Sequence, residues 1–420
     1  MSLSTDTDIE QLRLRCAQTL RASWHEGTRP QDGVRFAYTA PSTTHYPWQW
    51  YWDSCFTAIT WRHFDPERSR RELQSLLAAQ RADGFIGHTI FWDRPLSGTR
   101  RHTYNVLSPG APTTSSMQPP ALAWAWSRAV GDPRAEPRLA LHHRWLEHHR
   151  TLDEDGLLWI VQPDESGLDA SPQFDPIWGR QAHGLPGFVL LVRRNRRLGY
   201  DLREILRAGG PACCEVLTNV LYSLSRSALG LESLTGAMIE RLYDPARGLF
   251  LPLARRGPGG GRSRGPGRGA MVQERSPVAT IAALTPLALP DLPEEIGHRL
   301  VGHLLDDGAF RTAVAPPSVS IAERSFTRRD RALAGRAPAR YWRGPTWVNT
   351  AWLCWLGLMR LGYAAEARAM ADGLARTILR EGLREYYDPF TGAGMGARDF
   401  GWSSLILEMV NEDSALESTA

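Results

Sequence analysis

"WVNTAWLCWLGLMRL", residues 347–361, is too long and too continuously apolar for one strand and reads as a helix. Working outward, comparable runs occur on both sides. Towards the N-terminus they are "DIEQLRLRCAQTLRASW", "DSCFTAITWRHF", "PERSRRELQSLLAAQ", "QPPALAWAWSRAV", "PRAEPRLALHHRWLEHHR", "LPGFVLLVRRNRRL", "CEVLTNVLYSLSRSAL", "VATIAALTPLAL" and "PEEIGHRLVGHLL". "AAEARAMADGLARTIL" and "FGWSSLILEMV" follow it, giving about twelve candidate helices. Pro66 stands at a favoured first helical position. There is no reliable strand–helix alternation, fixed repeat period or polar interdomain linker. Two half-domains or a helical solenoid would also supply twelve helices.

The 420 residues and 46.9 kDa leave ample material for a large core. An apolar fraction of 42% and mean hydropathy of -0.34 suit a water-soluble chain, and no run approaches a membrane span of roughly 18 residues. The N-terminus has no basic start followed by an apolar stretch, so a cytoplasmic location without a secretory signal is expected. Cys16, Cys55, Cys213, Cys214 and Cys354 are odd in number without CxxC spacing and are expected as reduced core or helix residues. A net charge of +4 is small for this length and gives only a weak argument for nucleic acid. "ARRGPGGGRSRGPGRGA", residues 254–270, is expected as a flexible basic loop, with an RGG-like RNA contact as the alternative, which the lack of interleaved aromatics and repeats weakens.

Aromatic residues gather at the helix junctions. Trp48, Trp50 and Trp52 fall in "YPWQWYWD", and Trp342 and Trp347 in "YWRGPTW". A purely structural aromatic layer would have to find buried partners for Gln49, Asp53, Arg343 and Asn349. A cleft resolves this, because flat rings face the apolar side of a sugar while polar groups meet its hydroxyls.

"QPDESGLDASPQFDP", residues 162–176, brings four carboxylates into a loop. Asp164 and Glu165 are expected as solvated charges or local caps, and Asp175 as a partner for a backbone NH. A tight turn would project Asp169 into a pocket, although spacing alone does not select it. A second glycine-rich loop, "REYYDPFTGAGMGARDFGWSS" at 384–404, offers Glu385, with Asp399 as its rival or as an N-cap. Inverting glycoside cleavage needs an acid and a base on opposite faces of a sugar, roughly 6.5–9.5 Å apart, which distant loops supply more readily than neighbouring positions.

"WQWYWDSCF", "SMQPP", "DESGLDASPQF", "YWRGPTWVNTAWL" and "EYYDPFTGAGMGARDFGWSSLIL" together resemble the sugar-site motifs of glycoside hydrolase family 63 and related α-glycosidases. With "PPSVSIAERSF" the likeness narrows to the bacterial mannosylglycerate and glucosylglycerate hydrolases and spans about residues 40–410. The resemblance implies an all-α (α/α)6 barrel of six helical hairpins, as one catalytic domain over residues 1–420. It implies Asp169 as general acid and Glu385 as general base, with Asp399 in support. Asp53 and Arg343 would hold sugar hydroxyls or organise the acidic pair. Trp48, Trp50, Trp52, Gln118, Trp347 and Trp402 would line the pocket, and Tyr386 and Tyr387 would meet a glycerate carboxylate.

The implied partner is a small α-glycoside, with 2-O-α-mannosyl- or 2-O-α-glucosyl-D-glycerate favoured. No cofactor, metal, nucleic acid or membrane is expected. His142-His143 and His148-His149 form no HExxH-type ligand set and are expected on a helix surface or in packing. Alternatives on such a barrel are an α-glucosidase acting on a neutral disaccharide or oligosaccharide, a sugar epimerase, or a noncatalytic carbohydrate-binding protein.

Overall fold

The computed structural model describes residues 6–94, 107–108, 111–179, 185–257, 272–327 and 341–411. The opening stretch forms the helix Val348–Arg360, whose first eleven residues are all buried. A helix apolar all round belongs inside a large core, and this one has five counterparts. Tyr51–Trp61 packs on Leu122–Ala129, that helix on Val216–Ala228, and Val216–Ala228 on the 3-10 run Ile281–Ala288. Ile281–Ala288 packs on Val348–Arg360, which meets the tandem Gly401–Leu405 and Ile406–Val410; Gly401–Leu405 returns to Tyr51–Trp61 and closes the ring. The 3-10 form of Ile281–Ala288 accommodates Pro286, which lacks the NH an α-helix interior requires.

Helices buried on one side cover this ring. Pro66–Ala78 turns Leu73, Leu76 and Leu77 inward against Tyr51–Trp61, and Asp65 caps it by accepting from the Arg68 NH at 3.1 Å. Glu294–Leu304 lies on Ile281–Ala288, while Ala364–Glu381 lies on Val348–Arg360 and Ile406–Val410. Asp6–Ser23 packs beside Ala364–Glu381 and Gly401–Leu405.

The chain departs from an all-α expectation. Short antiparallel pairs join the helices at Trp24–Thr28 with Arg35–Thr39, Gln49–Trp50 with Thr89–Ile90, and Arg384–Tyr387 with Gly394–Arg398. Pro211–Cys214, Leu253–Arg256 and Val272–Arg275 form a three-stranded sheet. The predicted basic loop therefore begins as a strand. Arg255 in that strand is buried, paired with Asp153 at 2.7 Å and set over the Trp159 ring; residues 258–270 lie outside the described residues. Its alternating backbone bonds outweigh the loop-forming composition that follows. Two helices, Leu202–Arg207 and Thr235–Leu242, are too short to show a clear period in the sequence.

All five cysteines are free and buried. His142 and His143 pack inside, with His142 bonded to the Gly84 carbonyl at 3.0 Å and His143 stacked on Tyr222. Among the described residues no helix is long and apolar enough to cross a membrane, and no cluster of His, Cys, Asp and Glu suits a metal.

Candidate active site

The Asp169 loop is fixed from behind by a buried ion pair. Glu165 takes two bonds from the Arg150 guanidinium, at 2.7 and 3.1 Å, and accepts from the Val161 and Met117 NH groups. It is neither solvated nor open to a substrate. Asp164 is buried too, contrary to the surface role expected for it. The loop folds inward because Gly167, at φ +73°, lies flat on the Trp52 ring; a Cβ there would stand 2.5 Å from that ring. Asp169 follows, the one partly open side chain of the acidic turn Pro163–Asp169.

Glu385 comes from the strand Arg384–Tyr387. Its pairing with Gly394–Arg398 slips between Arg384 and Tyr386, and such an irregularity re-aims the residue it contains. One Glu385 oxygen accepts from the Ala397 NH at 2.9 Å, the other from the Tyr46 hydroxyl at 3.4 Å, and the Tyr341 hydroxyl bonds the same carboxylate. Trp402 holds the backbone by donating its indole NH to the Glu385 carbonyl at 3.0 Å.

Both carboxylates line one cavity of about 390 Å³, counting the space at its mouth. Trp50, Trp52, Asp53, Gln118 and Trp402 from the predicted set share it. Trp52 and Trp402 meet edge to face at 5.6 Å, and Gln118 fixes the first turn of Tyr51–Trp61 by accepting from the Trp52 NH at 3.0 Å. Asp53 Oδ1 and Trp50 Nε1 are buried without a protein partner. His88, Tyr46 and Tyr341 also line the cavity and were not singled out from sequence. Tyr46 and Tyr341 open two of the aromatic motifs, a signal that was available; His88, in "GFIGHTIF", carries none.

Six predicted residues lie outside the lining. Trp48 donates to the Arg94 carbonyl, and Trp347 is fully buried, stacked on Trp342 at 3.7 Å. Tyr386 packs between Tyr341 and Trp347. The Tyr387 hydroxyl donates to the Gly382 carbonyl and accepts from the Arg384 NH, so its hydrogen bonds are taken by backbone. Arg343 does not reach the acidic pair; it forms a two-point ion pair with Asp175, at 3.0 Å for one contact, joining the two motif segments. Asp399 is exposed at φ +53°, and the residue preceding Gly401–Leu405 is Phe400, so the Asp399 side chain makes no N-cap.

Burial pushes Asp169 up to about 7 against its own backbone NH, which favours the ionised form, with the Glu385 charge adding to the rise. Burial also pushes Glu385 up to about 7, against the Ala397 NH and the Tyr341 and Tyr46 hydroxyls, which favour its ionised form. Asp53 is raised well above the usual carboxylate range by burial and then by Glu385. His88 is driven down to about 3 by burial and is neutral. The lining thus combines aromatic faces, unpaired polar atoms and two carboxylates that titrate near neutrality.

Comparison with known proteins agrees with this chemistry. A family model described as the mannosylglycerate hydrolase MGH1-like glycoside hydrolase domain matches residues 46–230 and 229–403. The mannosylglycerate hydrolase of Thermus thermophilus is 30% identical, the match covering 90% of this chain and 97% of that protein. The glucosylglycerate hydrolase of Mycolicibacterium hassiacum is 26% identical over 86% of this chain and 90% of its own. A crystal structure of a GH63 mannosylglycerate hydrolase from Thermus thermophilus, in complex with Tris and D-glycerate, superposes with a TM-score of 0.72 at 28% identity, covering 95% of this chain and 99% of that one. With these matches running from the Trp50 wall through both carboxylate loops, the chain is a glycoside hydrolase and belongs to the mannosylglycerate hydrolase MGH1-like family.

Proposed function

We propose that this chain hydrolyses 2-O-α-mannosyl- or 2-O-α-glucosyl-D-glycerate with inversion at the anomeric carbon, using Asp169 as general acid and Glu385 as general base. The observation that carries this reading is the meeting, in one cavity, of two carboxylates from distant segments of the chain. Burial raises both carboxyls to about 7; the Glu385 charge adds to the rise at Asp169, and the Ala397 NH and two tyrosine hydroxyls favour the ionised form of Glu385, which supports this division of roles.

Asp169 gives its proton to the departing glycosidic oxygen as the C1–O bond breaks. Water adds to C1 from the opposite face and passes a proton to Glu385, leaving a β-sugar and free glycerate. Asp169 is then ionised and Glu385 protonated, and exchange with solvent restores the pair. The sugar stacks on the Trp50–Trp52 wall, and its hydroxyls satisfy Asp53 Oδ1 and Trp50 Nε1. No arginine or lysine is among the described lining residues. The cavity therefore takes the neutral sugar, and the anionic glycerate lies at its mouth. The ring of six buried elements serves as the inner layer of an (α/α)6 barrel, in one catalytic domain.

The test compares initial rates, at equal low concentration, on both glycerate conjugates, trehalose, kojibiose, nigerose and a maltooligosaccharide, with chiral monitoring of the first anomer released. Preference for a glycerate conjugate with initial β-product is expected. Initial α-product overturns inversion, and activity confined to neutral saccharides overturns the substrate assignment.

A further inference from the structure

Asp164 and His88 face each other behind the cavity wall. Oδ2 of Asp164 stands 3.7 Å from Nδ1 of His88, about 0.7 Å beyond an ordinary N–H···O distance. Both residues are buried, at 7% and 4% exposure, and His88 Nδ1 and Asp164 Oδ1 have no hydrogen-bond partner. Groups of this kind seldom remain unpaired inside a protein. Adding Nδ1–H···Oδ2 would satisfy the histidine through a small movement of either ring or carboxyl.

A chain of side chains of fixed polarity determines which partner donates. Arg194 offers only N–H groups and directs two of them at Asn195 Oδ1, at 3.2 and 3.4 Å. Asn195 therefore presents its NH2 to the Val161 carbonyl at 3.1 Å and to Gln162 Oε1 at 3.2 Å. Gln162 in turn gives its NH2 to Asp164 Oδ2 at 3.0 Å. The Tyr200 phenol, which also meets Gln162, can give or take and imposes no direction. Oδ2 therefore already accepts one hydrogen, and with any proton that burial keeps on Asp164 placed on Oδ1, Oδ2 is the carbonyl oxygen to which Nδ1 of His88 donates.

We infer that Asp164 is a positioning residue, the last member of an Arg194–Asn195–Gln162–Asp164 chain that holds His88 in its Nδ1–H tautomer and presents Nε2 to the cavity as an acceptor. His88 lines the cavity and its ring is braced edge to face on Trp50 at 5.0 Å, so with Nδ1 behind it Nε2 is the nitrogen left for the sugar. The site then selects a ligand hydroxyl that donates at this point. This deepens the glycosidase reading and rests on it for the identity of the ligand, but the tautomer itself does not depend on substrate.

The test uses the full chain labelled with 15N-histidine, the His88 signal being assigned by its loss in His88→Gln. Long-range 1H–15N spectra are expected to show the Nδ1–H tautomer in the wild type. Asp164→Asn retains a carbonyl acceptor for both Gln162 and His88 and should keep that tautomer, with kcat/KM within about threefold. Asp164→Ala should release the ring to the Nε2–H form and reduce kcat/KM roughly five- to tenfold, the scale of one lost hydrogen bond, chiefly through KM. If Asp164→Ala does not fold, Gln162→Leu breaks the chain one link earlier and is read in the same spectrum. Finding Nε2–H or imidazolium in the wild type, or an unchanged Nδ1–H signal in the variant that removes the acceptor, overturns the proposal. Loss of hydrolysis on every glycoside with the tautomer intact would count against the glycosidase assignment instead.

Discussion

Replacing Gly396 by alanine perturbs Glu385, the proposed base, without changing it chemically. Gly396 is exposed on the strand Gly394–Arg398, at φ +67°, and an added Cβ would stand 2.5 Å from Glu385 Oε2 and 2.7 Å from Glu385 Cβ. An L side chain at this φ costs about 1–2 kcal/mol. The overlap adds a second effect: ordinary contact requires Glu385 or the strand to retreat by about 1 Å, and a misplacement of that size costs on the order of 100-fold in rate. Gly362→Ala separates the two effects, because Gly362 has a comparable φ of +81° with nothing within 4 Å of the new Cβ. Both variants should lose similar stability by calorimetry, whereas only Gly396→Ala should lose kcat on the glycerate conjugates well below its melting temperature. A Gly396→Ala enzyme with kcat within threefold of wild type would refute the placement of Glu385, as would an equal loss in Gly362→Ala.

Asp169→Asn and Glu385→Gln should each lower kcat by roughly 100- to 10,000-fold in steady-state assays while remaining folded, far more than Asp164→Asn; near-normal turnover in both would remove them from the chemistry. Glu165→Gln strands Arg150 in the interior and should cost about 3–5 kcal/mol in denaturant unfolding, and a melting temperature equal to wild type would contradict the anchoring role. The raised Glu385 value gives a signed pH effect. Native Glu385 keeps its proton to about 7, while the unfolded chain releases it near 4.3, so between these values the native state binds more protons and stability falls as pH rises. Glu385→Gln removes that loss, and its melting temperature should gain on wild type between about pH 5 and pH 8; a gap that is constant or shrinks argues against a buried, protonated carboxyl.

Legibility in the sequence followed local chemistry. The helices Tyr51–Trp61 and Val348–Arg360 were visible because each is a long apolar run, and the Gly- and Pro-containing frame of Asp169 marked it as a loop residue. The strand carrying Glu385 was hidden, since Arg384–Tyr387 is four residues long and acquires its form from pairing with a glycine-rich partner. Asp164 and Glu165 read as surface charges because composition cannot show that Arg150, Gln162 and two backbone NH groups converge on them. Arg343 and Tyr387 belong to sugar-site motifs, yet their polar groups are committed to Asp175 and to backbone. Motif membership identified the right neighbourhood; which member faces the cavity depended on contacts between distant segments.

The distribution of cations explains how such a site holds a proton near neutral pH. The acidic turn and its extension contain Glu165 and Asp175, and each is matched by an arginine outside the cavity lining, Arg150 and Arg343. These pairs brace the loops while leaving no guanidinium against Asp53, Asp169 or Glu385 among the described lining residues. An arginine at that distance would favour ionisation of all three and deprive the acid of its proton. Burial and mutual repulsion make the fully ionised state of these three carboxyls costly. The Ala397 NH and two tyrosine hydroxyls favour the ionised form of Glu385 against its burial, which fits the proposed base role for Glu385.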